Sequence, residues 1–112
     1  VNPDIKAKWV EALRSGEYEQ ARGSLRAGFD TQSYCCLAVL CDIAGKSGQV
    51  GGAWVREASG WSFLAYGSIL PTQVTRWAEL DDQGMNEINE LMGMNDQGQP
   101  FDVIADYIEE KL

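Results

Sequence analysis

The run Cys35-Cys36-Leu37-Ala38-Val39-Leu40-Cys41-Asp42-Ile43-Ala44 constrains this chain more than any other segment. Read as a helix over 33–44, it places Cys36, Leu37, Leu40, Cys41 and Ala44 on one wide apolar face, which Val39 and Ile43 extend. A helix apolar nearly all round is a buried helix. Thr31 or Ser33 is placed to cap its start, and Gly45 and Lys46 fit its end. Everything else in the chain has to be arranged about this element.

The flanking segments carry the local signals of further elements. Residues 2–15 read as a helix. Asn2 caps it, Pro3 fits the first turn, Asp4 suits the positive end of the dipole, and Ile5, Trp9 and Leu13 recur at helical spacing beside Val10 and Ala12. Gly16 is the expected stop. Tyr18-Glu19-Gln20 and Ser24-Leu25-Arg26 are expected as short strands about Gly23, with Gly23 and Gly28 favouring a hairpin or an irregular loop. Residues 45–60 read as a Gly- and Ser-rich loop with a short strand at Ala53-Trp54-Val55, and Trp61 to Tyr66 is the strongest strand candidate. Thr72–Leu80 reads as a helix capped by Thr72, with Val74, Trp77 and Ala78 inward. Asp81-Asp82-Gln83-Gly84 is a turn. A short helix follows from Met85 to Met92, with Ile88, Leu91 and Met92 inward, stopped near Gly93. Asn95-Asp96-Gln97-Gly98 is a second turn. Pro100 opens a last helix whose inner face is Phe101, Ile104, Ala105, Ile108 and Leu112. The expected fold class is α+β: a small single domain over 1–112, with three to five helices, a short antiparallel sheet or hairpin, and a C-terminal helical hairpin.

Charge is distributed unevenly along these elements. The formal net charge is −8. Residues 1–78 hold seven acids and eight bases, for +1, while residues 79–112 hold ten acids and Lys111, for −9. An acidic chain with nine scattered bases does not match the clustered Lys and Arg that phosphate contacts need, so direct nucleic-acid binding is not expected. Anionic membrane surfaces are disfavoured for the same reason. No run of about 18 apolar residues is present, so no spanning helix is expected. The start Val-Asn-Pro-Asp-Ile-Lys lacks an apolar signal region, and the chain is expected to be cytoplasmic unless a signal was removed earlier.

The residues available for chemistry are few. The chain contains no histidine. That removes Ser-His-Asp and Cys-His catalysis and most catalytic zinc sites. Cys35, Cys36 and Cys41 fall within seven residues on one helix, a spacing that suits neither a disulfide scaffold nor a Cys-x-x-Cys metal site, and they read as reduced, buried small hydrophobes. Cys35 and Cys36 lie near a helix N-terminus, where a thiol can be activated, but no base accompanies them. Asp81-Asp82 and Glu109-Glu110 are the densest carboxylate pairs available for acid–base work or a Mg²⁺ ion. Asn95-Asp96-Gln97-Gly98 lacks the alternating ligands and closing Glu of a calcium loop. The glycines form no phosphate cradle. Catalytic, cofactor and metal residues are therefore not assigned. The segment Leu91 to Ile108 has the spacing of a helix-turn-helix, yet its second helix exposes Asp102, Asp106, Glu109 and Glu110, which phosphates would repel.

Three segments together carry a resemblance: Lys8-Trp9-Val10-Glu11-Ala12-Leu13-Arg14-Ser15-Gly16-Glu17-Tyr18, the Tyr34-Cys35-Cys36-Leu37-Ala38-Val39-Leu40-Cys41-Asp42 helix, and Asn95-Asp96 to Ile108. The chain resembles small proteins of tailed phages, prophages and other mobile DNA. Ala38 stands where that resemblance leads one to expect Gly, which bears only on packing. The resemblance implies a setting, an accessory protein inside a bacterial cell, and carries no activity and no site residues.

The function expected is that of a non-enzymatic accessory protein that binds a protein partner through its acidic C-terminal helices, with Asp102, Asp106, Glu109 and Glu110 as the candidate contact residues. The partner would be basic, such as a nucleic-acid-binding protein, steered by charge. Mimicry of DNA by these carboxylates is a sharper form of the same idea, and acidity for solubility alone is the blander one. Two alternatives stand beside it. One is a small carboxylate-based, metal-dependent enzyme. The other is a small-molecule pocket, or a homodimer face, lined by Trp54, Trp61, Phe63, Tyr66 and Trp77. No cofactor is implied.

Overall fold

The computed structural model describes residues 1–22, 25–27, 33–57, 60–64, 67, 70–80 and 85–112. In chain order the elements are α1 (Pro3–Arg14), β1 (Glu19–Gln20), β2 (Arg26–Ala27), β3 (Ser33–Tyr34), α2 (Cys36–Ser47), β4 (Trp54–Glu57), β5 (Gly60–Phe63), α3 (Thr72–Trp77), α4 (Met85–Asp96) and α5 (Phe101–Lys111). The class is α+β, as expected from a few helices accompanied by short strands. The acidic turn expected at Asp81-Asp82 and the glycines expected at a hairpin, Gly23 and Gly28, lie outside the described residues.

The apolar run forms the centre. Cys36 through Asp42 and Ala44 are all buried on α2, which packs against α1, α3 and α4. Trp9 of α1 is fully buried and donates its indole N–H to the Cys36 carbonyl at 2.9 Å. That bond holds α1 to the first turn of α2 and satisfies the one polar atom of a large buried ring. The α1 start follows its sequence signals: the Asn2 side chain accepts the N–H groups of Asp4 and Ile5 at 3.0 and 3.2 Å, with Pro3 in the first turn. α5 lies along α1, presenting Ile104, Ala105 and Ile108 to the core, and α4 packs on both α2 and α5. The C-terminal helical hairpin is thus α4 and α5, turning at Gly98 with φ +86.

Several boundaries differ from the expected ones, and at the start of α2 a long-range contact overrides the local signal. Ser33-Tyr34 does not begin the central helix. It is a strand, the middle one of a three-stranded sheet, pairing parallel with β1 and antiparallel with β2. The two flanking strands therefore do not form a hairpin with each other, and the cap of α2 is Cys35 in extended conformation rather than Ser33. The Tyr34 ring packs edge-on against Tyr18 at 5.0 Å and Trp54 at 5.8 Å, contacts that a helical Tyr34 would not be placed to make.

The end of α2 also moves: the helix runs through Gly45 and Lys46 to Ser47, with Gly48 left-handed as its C-cap. Gly45 is a packing glycine, because a Cβ there would stand 3.2 Å from the Gly52 carbonyl oxygen and 3.3 Å from the Phe63 ring. Likewise α4 continues past Gly93 to Asp96. Glycine costs a helix interior about 1 kcal/mol against alanine, and the contacts of Asn95 described below offset it. In α3 the cap is Pro71 rather than Thr72.

β4 and β5 form a separate antiparallel pair, registered from Trp54 opposite Phe63 to Glu57 opposite Gly60. Among the described residues no helix is long and apolar enough to cross a membrane.

Candidate functional site

Because Ile104, Ala105 and Ile108 turn inward, the helical period leaves Asp102, Asp106, Glu109 and Glu110 along one side of α5. All four are exposed. The structure thus brings the four sequence-predicted residues together in one strip. It also adds a residue that the sequence reading did not connect to them. The Arg14 guanidinium, from the last turn of α1, donates one N–H group to the Glu109 carboxylate and another to that of Asp106. The hydrogen bonds from Arg14 to Glu109 and Asp106 raise the guanidinium's own pKa further. Even so, the Asp106 and Glu109 side chains keep 72% and 52% of their exposure, so the bridge lies open to water. Lys6 reaches the Glu109 carbonyl at 3.1 Å, and Lys111 stands 3.9 Å from Glu110.

The described acids of the last third do not share one face. Glu90 and Glu87 of α4 are the charged neighbours of Tyr107, whose pKa is raised first by burial and then by those two carboxylates. Tyr107 borders the strip, one helical turn before Glu110 and about 100° round the helix from Asp106. Glu79 is engaged elsewhere, accepting the Asn2 side-chain amide at 2.8 Å.

A second charged centre is buried. Asp42 on α2 accepts the Tyr18 hydroxyl at 2.6 Å, the Lys46 ammonium at 2.9 Å and the Trp54 indole N–H at 3.2 Å. Burial alone would raise its pKa, but the bonds from Tyr18 and Lys46 prevail and hold the carboxyl below the ordinary value. The Tyr18 hydroxyl is pushed up by burial and by this bond. Beside it the Arg26 guanidinium lies 3.9 Å from the Trp61 ring centroid, 4.9 Å from Tyr34 and 5.3 Å from Trp54. Arg26 comes from β2 and the rings from β3, β4 and β5, so this stack joins the two sheets. Of the aromatics named as candidate pocket lining, Trp54 and Trp61 enclose Arg26 and Phe63 belongs to the core. Trp77 bonds Gln49 beside α2, and Tyr66 lies outside the described residues.

Asn95, placed by its sequence in a turn, is instead 1% exposed within α4. Its carbonyl oxygen accepts the Cys36 N–H at 3.2 Å and the Gln20 amide at 3.1 Å, and its amide donates to the Ala21 carbonyl at 2.6 Å. It caps α2 from another helix.

The three cysteines are free and buried, and burial raises the pKa of each thiol. The helix N-terminus does not overcome that burial at Cys35 or Cys36. Among the described residues no group of three or more His, Cys, Asp or Glu is placed to hold a metal ion.

No curated protein and no solved structure matches the chain. A family model matches residues 1–112, and the chain accordingly belongs to the family described as Domain of unknown function (DUF8296).

Proposed function

We propose that the chain is a non-enzymatic interaction protein that takes a basic partner protein along the acidic side of α5. The observation that carries this reading is the strip of Asp102, Asp106, Glu109 and Glu110, exposed on one side of a helix that is firmly seated on α1. Carboxylates on a rigid element need little reordering when a partner arrives, and their field raises the encounter rate with a positive surface. The spread of the described acids over α4, α5 and Glu79 favours docking on the strip over imitation of DNA by the whole acidic third. A carboxylate-based enzyme would need acids converging in a cleft with raised pKa values. Asp42, the buried acid among the described residues, is instead held ionised by three donors. The setting, an accessory protein of mobile DNA acting in a bacterial cell, rests on the resemblance of the three segments quoted above.

The test is capture from a bacterial lysate by the immobilised chain and by a variant carrying Asp102→Asn, Asp106→Asn, Glu109→Gln and Glu110→Gln. The reading expects a basic protein held at low salt, released near 1 M salt where the screening length shrinks to about 3 Å, and absent from the variant. Capture indifferent to both salt and the four substitutions would overturn it.

A further inference from the structure

The seam between α1 and α5 holds two hollows with Arg14 as their shared wall. The larger, about 780 Å³, is a shallow groove whose floor is apolar: Pro3, Ala7 and Val10 fall on one side of α1, flanked by Lys6, Arg14 and Glu109. The smaller, about 390 Å³, lies beyond Arg14 and is lined by Leu13, Tyr18, Phe101 and Asp102 among others. Arg14, which bridges to Asp106 and Glu109, is the residue common to the two linings.

We propose that this seam is a groove for a basic amphipathic segment of the partner protein, and that Arg14 is a displaceable stand-in for that partner's own basic side chain. This rests on the function proposed above and names the partner's binding element. Three features point to that occupant. The floor is apolar and open, so it takes an aliphatic anchor. On the α5 side Glu109 lines the larger hollow and Asp102 the smaller, with Asp106 on the Arg14 bridge, so complementarity asks for Lys or Arg beside the anchor. The bridge itself demonstrates that a guanidinium fits across Asp106 and Glu109. Displacing Arg14 costs little, because the pair is solvent-exposed and exposed pairs are weak. A partner's arginine entering there would free Arg14 to swing into water and merge the two hollows into one trough.

The experiment uses a fluorescent helical peptide of leucine, alanine and arginine, its arginines one turn apart, titrated against the whole chain and against Arg14→Ala and Arg14→Gln. Thermal unfolding of each protein is recorded alongside to confirm that it is folded. Removing the stand-in should tighten binding a few-fold in both variants, as expected for loss of an exposed competing pair. Ala7→Lys, which puts a positive charge on the floor, should weaken binding in every background. If the chain binds the peptide but the Arg14 variants bind equally or more weakly, the displacement model fails while the acidic-strip reading stands. If no form binds, both fall. If sedimentation finds a dimer that Ala7→Lys dissociates, the groove takes a second copy, and the partner assignment is overturned.

Discussion

Two carboxylate–base assemblies in this molecule differ in what water does to them. Asp42 is almost wholly buried and bonded to a hydroxyl, an ammonium and an indole from three separate segments. Asp106 and Glu109 share one guanidinium, yet remain largely exposed. The chemistry is alike and the consequences are not. A carboxylate removed from water must keep its donors or leave an uncompensated charge, so Asp42 fixes the arrangement of Tyr18, Lys46 and Trp54. A carboxylate in water loses little when its base departs, so the α5 strip can exchange partners. Net charge counts both kinds equally; desolvation separates the charge that holds the fold from the charge available to another molecule.

That contrast can be broken by substitution. The largest effect is expected at Asn95, which belongs to the buried class. Asn95→Ala leaves the Cys36 N–H and the Ala21 carbonyl without their partner, which should cost about 3 kcal/mol and lower the unfolding midpoint by more than about 10 °C. Differential scanning calorimetry measures it, and a loss within error would remove Asn95 from the fold's supports.

Asp42→Asn comes next, at about 1–2 kcal/mol near neutral pH, from the lost charge-assisted bonds to Lys46 and Tyr18. The pH dependence fixes its sign. The native Asp42 carboxyl lies below its reference value of 3.8. Its stabilisation is therefore complete above that pH and is lost as pH falls through the native value. The wild type should lose stability on acidification below about pH 4 more steeply than Asp42→Asn. Parallel acid limbs would contradict the assignment.

Neutralising the four acids of α5 together should leave the midpoint within a few degrees of the wild type, because exposed charges contribute little to folding. Smallest of all is Arg14→Gln, whose midpoint should coincide with that of the wild type in high salt, where the Arg14 bridge is screened. A collapse of stability in either variant would place the strip with Asp42 rather than opposite it.

How far the sequence carries these conclusions depends on the distance over which each is decided. The start of α1 is decided within a few residues, by Asn2, Pro3 and the Ile5–Trp9–Leu13 spacing, and it was legible. So was α5, opened by Pro100 and turned inward by Ile104 and Ile108, which is why the four carboxylates could be placed on one side of it. β1, β2 and β3 are two residues each, too short to display an alternating period, and their order depends on Tyr34 reaching both Tyr18 and Trp54. Asn95 lies in a run of turn-forming residues, and nothing local distinguishes it from them. Its burial follows from α4 packing beside the first turn of α2. Charge along the chain does not reveal the Arg14 bridge, because it joins positions 92 and 95 residues apart. A base in the last turn of α1 and acids on an amphipathic α5 were the available signals. Joining them required knowing that the two helices are neighbours.

The central claim is that binding happens on the α5 strip and not on the aromatic side where Arg26 and Asp42 lie. Amide chemical-shift mapping with the leucine–alanine–arginine peptide tests it most directly. The account predicts shifts concentrated from Asp102 to Glu110 and at Arg14, with β4 and β5 unmoved, and their disappearance when the four acids are neutralised. Shifts centred on Trp54, Trp61 and Arg26, with α5 silent, would contradict it.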